Sequence, residues 1–277
     1  MTSGIDDQAA WATAEARYRS DLEGLLDRRT TLGALDALID ALRPTRVAIP
    51  LDRTAIGLDA NVFLRLGNHP RGDDVVDYLG TRHAAPLILP GQAIQEFWNN
   101  QLQAVETVSQ NLKRKFDAFK GEFSKVDKSF SDFAGKMTES LDQFGKEHGQ
   151  VYEEATVRKT LNLLDVLKKR ARVPYSPRLQ FREIAAHRKR TKTPPGFKDD
   201  GDGDFFIWVD LLTGLQHARH DGLAFDRVVL VSHDQKPDWI RGSSAHPILV
   251  AEVQALLKVP FEIWTIERLA AEIATAT

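Results

Sequence analysis

Four carboxylates occupy matching places in the chain. Asp59 ends an apolar run in GLDANVF, and Glu96 lies one turn into the helical pattern that follows LILP, in LPGQAIQEFW. Asp204 opens a helical pattern in DDGDGDFFIW, and Asp234 closes the run VVLVS in VLVSHDQKPDW. In an open parallel sheet the carboxyl ends of the strands share one edge, and ligands gather there. Four acids brought to that edge repel one another unless a cation sits among them. Mg²⁺ and Mn²⁺ suit such a set, because they take oxygen ligands and use a few carboxylates rather than a closed cage. Ions so held can activate water and stabilise the charge that develops on a phosphodiester under attack. Singly, each acid reads equally well as a turn former or helix cap, and DDGDGD as a solvated loop capped by Asp204. The common placement of all four is what points to a metal site.

The elements that must position these acids follow from the apolar pattern. Residues 8 to 43 read as helix, with Leu22, Leu25, Leu26, Leu32, Leu35, Leu38, Ile39 and Leu42 at helical spacing, closed by Pro44 and Pro50. Strand-length runs at 55–59 and 87–90 come next, the second leading into a helix from Gln92. A third run at 227–232, a helix at 249–257, a strand at 261–264 and a final helix in IERLAAEIA complete an α/β alternation with a mostly parallel sheet. Between its halves, Val105, Val108, Leu112, Phe116, Phe119, Phe123, Val126, Phe130, Phe133, Met137, Leu141 and Phe144 are spaced by threes and fours. A second stripe, Val157, Leu161, Leu164, Leu167 and Ala171, follows the break at Gly145, His148 and Gly149. Two stripes that cover each other make an antiparallel helical hairpin. The expected division is an N-terminal helical segment at 1–50, an α/β domain from 51–100 and 173–277, and an inserted arm at 101–172.

Composition excludes several classes. Hydrophobic residues at 42% and charged residues at 27% suit a globular chain. With no cysteine there is no disulfide, thiolate metal site or cysteine nucleophile, which suits a reducing cytoplasm. The acidic, amphipathic start reads as no signal peptide, and no apolar stretch is long enough to span a bilayer.

The net charge of −2 conceals segregation. Residues 168–198 carry eleven Lys or Arg against one acid, Glu183. An acidic metal site accepts a polyanion only with positive charge beside it, so Lys168, Lys169, Arg170, Arg172, Arg182, Arg188, Lys189, Arg190, Lys192 and Lys198 are candidates to hold phosphates, with Lys236 added from the last acidic motif. Tyr175, Phe181 and Phe197 could stack single-stranded bases. The bland alternative is a solvated basic face or loop. Lys113, Arg114, Lys115, Lys120, Lys125 and Lys128 could extend the track along the arm, diluted by Asp117, Glu122 and Asp127.

PPGFKDDGDGDFFIWVDLL at 194–212 and RVVLVSHDQKPDWI at 227–240, with LDANVF and QAIQEFW upstream, resemble the PIN-like domain family of bacterial proteins. The resemblance covers about 55–100 and 194–240. It implies a three-layer fold with strand order 3-2-1-4-5 and Mg²⁺- or Mn²⁺-dependent cleavage of phosphodiesters, RNA before DNA. By position it makes Asp59, Glu96, Asp204 and Asp234 the core acids, with Asp199 and Asp238 as supporting metal ligands. Lys236 and Trp239 belong to the motif, and Trp208 and Trp239 read as core. Two departures stand out. The segment between PPGFKD and GD is short, crowding Asp199, Asp200, Asp202 and Asp204, which leaves open which of them faces the metal, and His233 stands where an acid is common; it reads as a surface histidine before a general base. The expected function is an endoribonuclease, a toxin or phage-defence effector, with a DNA nuclease and a non-catalytic nucleic-acid-binding protein as alternatives. A haloacid-dehalogenase-type phosphatase would need an Asp where Asn61 stands. The arm or the N-terminal helices could dimerise or bind an inhibitory partner.

Overall fold

The computed structural model describes residues 3–42, 48–99, 158–242 and 244–276, with the isolated positions 118 and 139. Most of the expected arm, with its Phe-rich stripe and the basic residues Lys113 to Lys128, lies outside the described residues.

Five short strands form one parallel sheet: β1 (Thr54–Leu58), β2 (Leu87–Ile88), β3 (Ala171–Arg172), β4 (Arg227–Val231) and β5 (Phe261–Trp264). Their spatial order is 3-2-1-4-5, as expected. β1 and β4 are buried along their whole length, which is why they read as unbroken apolar runs instead of alternating ones. Within the sheet the period of two still sorts the side chains. Ala55, Ile88, Val228, Leu230, Phe261 and Ile263 enter one core, and Ile56, Leu58, Leu87, Val229, Val231 and Trp264 the other.

Helices cover both faces. Over the first core lie α1 (Ser3–Leu26), α7 (Arg178–Arg190), α8 (Gly203–His220) and α9 (Pro247–Leu257). α2 (Ala34–Leu42) packs on α9. Over the second lie α3 (Val62–Asn68), α4 (Gly72–Asp77), helical backbone at 91–99 (α5) and 158–170 (α6), and α10 (Ile266–Thr275). α8 approaches the sheet closely because β1 carries Gly57 at the crossing. A Cβ there would stand 2.6 Å from Leu211 Cδ1.

Three expectations change. The single helix at 8–43 is two helices, broken at 27–33 around Arg28, whose φ is +61°. The boundary at 172/173 falls inside the α/β unit, since β3 pairs with β2 and the preceding helix buries Leu163 and Leu167 in the second core. That part of the second stripe therefore covers the sheet, and Leu161 is exposed. Finally, Leu22, Leu25 and Leu26 of α1 join the first core, so this part of the N-terminal segment packs on the sheet.

Candidate active site

The carboxyl ends of β1 and β4 are adjacent strand ends, and they deliver Asp59 and Asp234 side by side. Asp59 is buried, and its Oδ2 accepts from Ser232 Oγ at 2.6 Å and Asn61 Nδ2 at 2.7 Å. Asn61 also ties the two strand ends together, because its Oδ1 accepts from the His233 amide at 2.9 Å. Ser232 Oγ in turn accepts from the Asp234 amide at 3.0 Å, and Asp234 Oδ1 from the Lys236 amide at 2.8 Å. Asp59 is thus held partly by the turn after β4 and Asp234 by its own turn, and the link between the two strand ends rests on two small polar residues, Asn61 and Ser232.

Two helix starts bring the other acids. α5 begins at Gly91, and its Gln92 amide donates to Asp210 Oδ2 at 2.9 Å; one turn on, Gln92 Nε2 donates to Glu96 Oε1 at 3.1 Å. α8 begins at Gly203, where a Cβ would collide with Glu96 Oε1. Asp204 Oδ2 accepts from Trp239 Nε1 at 2.9 Å. Asp199 reaches the same place from the loop after Pro194–Pro195, a cis peptide, and Gly196, whose φ of +85° suits glycine. Among the four crowded loop acids, two meet the cluster's lysine. Asp199 and Asp204 meet Lys236, whereas Asp200 is exposed.

Lys236 Nζ stands among three of these acids, at 2.5 Å from Asp199, 3.2 Å from Asp204 and 3.0 Å from Asp234. Even with this ammonium present, the site holds negative charge at a cost. Burial, reinforced by Asp234, raises the Asp59 carboxyl above its usual range despite the Ser232 bond. Burial raises Glu96 as well, with Asp59 adding to the effect. Asp204 is pushed up to about 7 by burial and by the hydrogen bond it shares with Asp199. Asp199, less buried, is held low: that shared bond and Lys236 outweigh its burial. Strained like charges of this kind mark a site that a cation would relieve.

The donor set fits a hard divalent ion: every group is an oxygen acid, and an ammonium already stands in for a cation among them. Among the described residues no three acids or imidazoles already converge as metal ligands, and Lys236 lies against three of the acids.

Several expected site residues fall elsewhere. Asp238 is fully buried, and its Oδ2 accepts from the amides of Gly196 and Lys198, so it anchors the PPGFK loop. Arg188 is buried and paired with Glu252 at 2.7 Å, and it also donates to the Pro194 carbonyl, so it cannot meet a substrate. Phe181 is core, not a stacking platform. Lys168, Lys169 and Arg170 precede β3 and therefore stand at the amino edge of the sheet, opposite the acids; Arg170 donates there to the His83 carbonyl at 2.5 Å. Arg172 pairs with Asp221 past the far end of α8. Lys189 does reach the acidic loop, donating to the Asp200 carbonyl at 2.5 Å. Arg182, Arg190, Lys192 and Lys198 are exposed, as is Tyr175, whose ring lies against Gly91 at the start of the Glu96 helix. Trp208 and Trp239 are core, as expected.

Sequence reading missed Asp210. It is fully buried in α8 and takes bidentate bonds from Arg178 at 2.7 and 2.8 Å, plus the amides of Gln92 and Ser176. It thereby fastens the start of the Glu96 helix to the chain after β3. The signal was an acid inside the apolar run IWVDLL, where nothing but an internal partner could justify it.

A family model described as a PIN like domain matches residues 55–252, well over half of the chain. No curated protein and no solved structure matches the sequence. Among the described residues no helix is long and apolar enough to cross a membrane.

Proposed function

The chain belongs to the PIN-like domain family, a nuclease-type family, and from that premise we propose that it is a metal-dependent endonuclease whose first substrate is RNA. The observation that carries the reading is the set of acids gathered at the carboxyl edge of the sheet around a single ammonium. Asp59, Glu96, Asp204 and Asp234 would hold Mg²⁺ or Mn²⁺, with Asp199 beside them. The ion would supply Lewis-acid stabilisation of phosphate charge and a more acidic water.

The chain's own residues do the positioning. Ser232 and Asn61 fix the orientation of Asp59 through its Oδ2. Trp239 fixes the orientation of Asp204 by donating Nε1–H to its Oδ2. Hydrolysis adds water oxygen to phosphorus and breaks one P–O ester bond, and the departing oxygen takes up a proton. Arg182, Lys189, Arg190, Lys192 and Lys198 are the cations that would hold the backbone, fewer than the sequence alone implies. The setting we propose, a toxin or phage-defence effector in the cytoplasm, rests on the family resemblance.

The test is cleavage of end-labelled single-stranded RNA and DNA in Mn²⁺, Mg²⁺ or EDTA, beside Asp59→Asn and Asp234→Asn proteins. Metal-dependent cutting of RNA that disappears in both variants supports the proposal. Preference for DNA replaces the substrate but keeps the chemistry. Salt-dependent binding with no cutting of either polymer favours a binding protein, and cutting that survives both substitutions removes the site assignment.

A further inference from the structure

The three acids around Lys236 come from three separate elements: the PPGFKDD loop, the start of α8 and the turn after β4. The side chains of Asp204 and Asp234 are only 13% and 14% exposed, so their mutual repulsion is poorly screened by water and a cation between them is strongly held. We propose that Lys236 is a tethered counter-ion that competes with the divalent metal for this cluster, closing the site in the metal-free protein and swinging into solvent when metal enters. The inference rests on the metal-dependent reading above.

The geometry separates a fixed backbone from a free stem. The Lys236 amide donates to Asp234 Oδ1, and its carbonyl accepts from the amides of Trp239 and Ile240, both at 3.0 Å. The main chain therefore stays in place while the four-carbon stem rotates. The side chain is 37% exposed, which leaves it a way out. A lysine ammonium is a compact point charge on a flexible arm and suits such a role better than a rigid guanidinium. An ion that binds carboxylate oxygens at about 2.0–2.1 Å cannot share the centre with Nζ. Metal binding must then displace Lys236, and the displacement lowers the apparent affinity.

Mn²⁺ titrated calorimetrically into EDTA-stripped protein provides the test, with Lys236→Met and Lys236→Arg compared with the unaltered chain. The Met variant should bind Mn²⁺ roughly tenfold more tightly or better, since one unit of competing charge is gone, while the Arg variant stays near the unaltered protein. Equal or weaker binding by the Met variant overturns the inference and leaves the metal reading intact. No Mn²⁺ binding by any of the three proteins overturns both. A measurement on the unaltered chain guards against a variant that fails to fold: acetylation of Lys236 by an N-hydroxysuccinimide ester, followed by mass spectrometry. Modification should quicken several-fold with Mn²⁺ while that of exposed Lys198 holds steady, and an unchanged Lys236 rate overturns the inference.

Discussion

At the scale of single residues the site trades stability for charge. Asp59 keeps a buried carboxylate that burial and Asp234 both disfavour. Asp59→Asn removes that charge and keeps an acceptor for the Ser232 and Asn61 donors. In EDTA the variant should unfold later than the unaltered chain, by about 1 kcal/mol in urea, although it loses cleavage. A loss of stability would mean that Asp59 is held as a structural carboxylate. Ser232→Ala works the other way. It strips Asp59 and the Asp234 amide of a shared partner in a buried place, and about 1–3 kcal/mol of stability should go with it. Cleavage should also fall, because Asp59 is then free to turn. These polar supports were not legible beforehand: Ser232 and Asn61 sit beside motif acids, but nothing in their types says that each bridges β1 to β4. The acids themselves were legible, because strand ends and helix starts are visible as changes of apolar period. Asp238 misled for the same reason that Asp234 did not. Both follow β4 in one short acidic motif, and only the path of the loop decides that one faces the cluster and the other the PPGFK backbone.

At the scale of elements the close approach of two helix starts is decisive. Gly203 lets α8 begin against Glu96, and Gly203→Ala places a methyl group where Glu96 Oε1 lies. The flexible carboxylate gives way more easily than backbone, so the fold should survive with unchanged circular dichroism. Cleavage should fall by about tenfold to a hundredfold, the usual consequence of misplacing a catalytic group by about an ångström. Retained activity would show that Glu96 is not used. Asp210→Asn tests the opposite end of the arrangement, where a bidentate Arg178 pair is buried on the acid's side; its loss should cost about 3 kcal/mol on urea unfolding. The elements also show where sequence reading stops. β1 and β4 were plain because their runs are nearly continuous and apolar, and β5 because bulky Phe261, Ile263 and Trp264 flank a single acid, Glu262. β3 is two residues, Ala171 and Arg172, inside a strongly basic stretch, and its only cause is pairing with β2. Once that strand exists, Lys168, Lys169 and Arg170 stand at the amino edge of the sheet, away from the acids, while Lys189 reaches the acidic loop.

At the scale of the whole molecule, two groups at opposite edges of the sheet pull acid stability in opposite directions. At the carboxyl edge, Asp204 takes up a proton near pH 7 in the folded chain but only near its ordinary value of 3.8 when unfolded. Between those values the folded state binds more protons, so acidification there favours folding. At the amino edge, His83 does the reverse. It is buried before β2, its Nε2 has no hydrogen-bond partner among the described residues, its Nδ1 lies 3.4 Å from Tyr78 Oη, and burial together with nearby Arg170 outweighs the Pro86 carbonyl and lowers its pKa from 6.5 to about 4. The unfolded chain therefore binds the extra proton as pH falls below 6.5, and stability drains away until about pH 4, at about 1.4 kcal/mol per pH unit. Above 6.5 the histidine is neutral in both states and contributes no slope. Because the two edges pull in opposite directions, the unaltered protein alone does not reveal either. The difference between it and His83→Gln does, since the variant keeps the acidic edge and lacks only the imidazole. Urea unfolding in EDTA should give a constant difference between the two proteins above pH 7. That difference should move in the variant's favour by about 1.4 kcal/mol for each unit from 6.5 down to about 4. A flat difference across that window would mean that His83 is protonated in the fold, with its Nε2 proton reaching a partner, and that the amino edge carries no acid sensitivity.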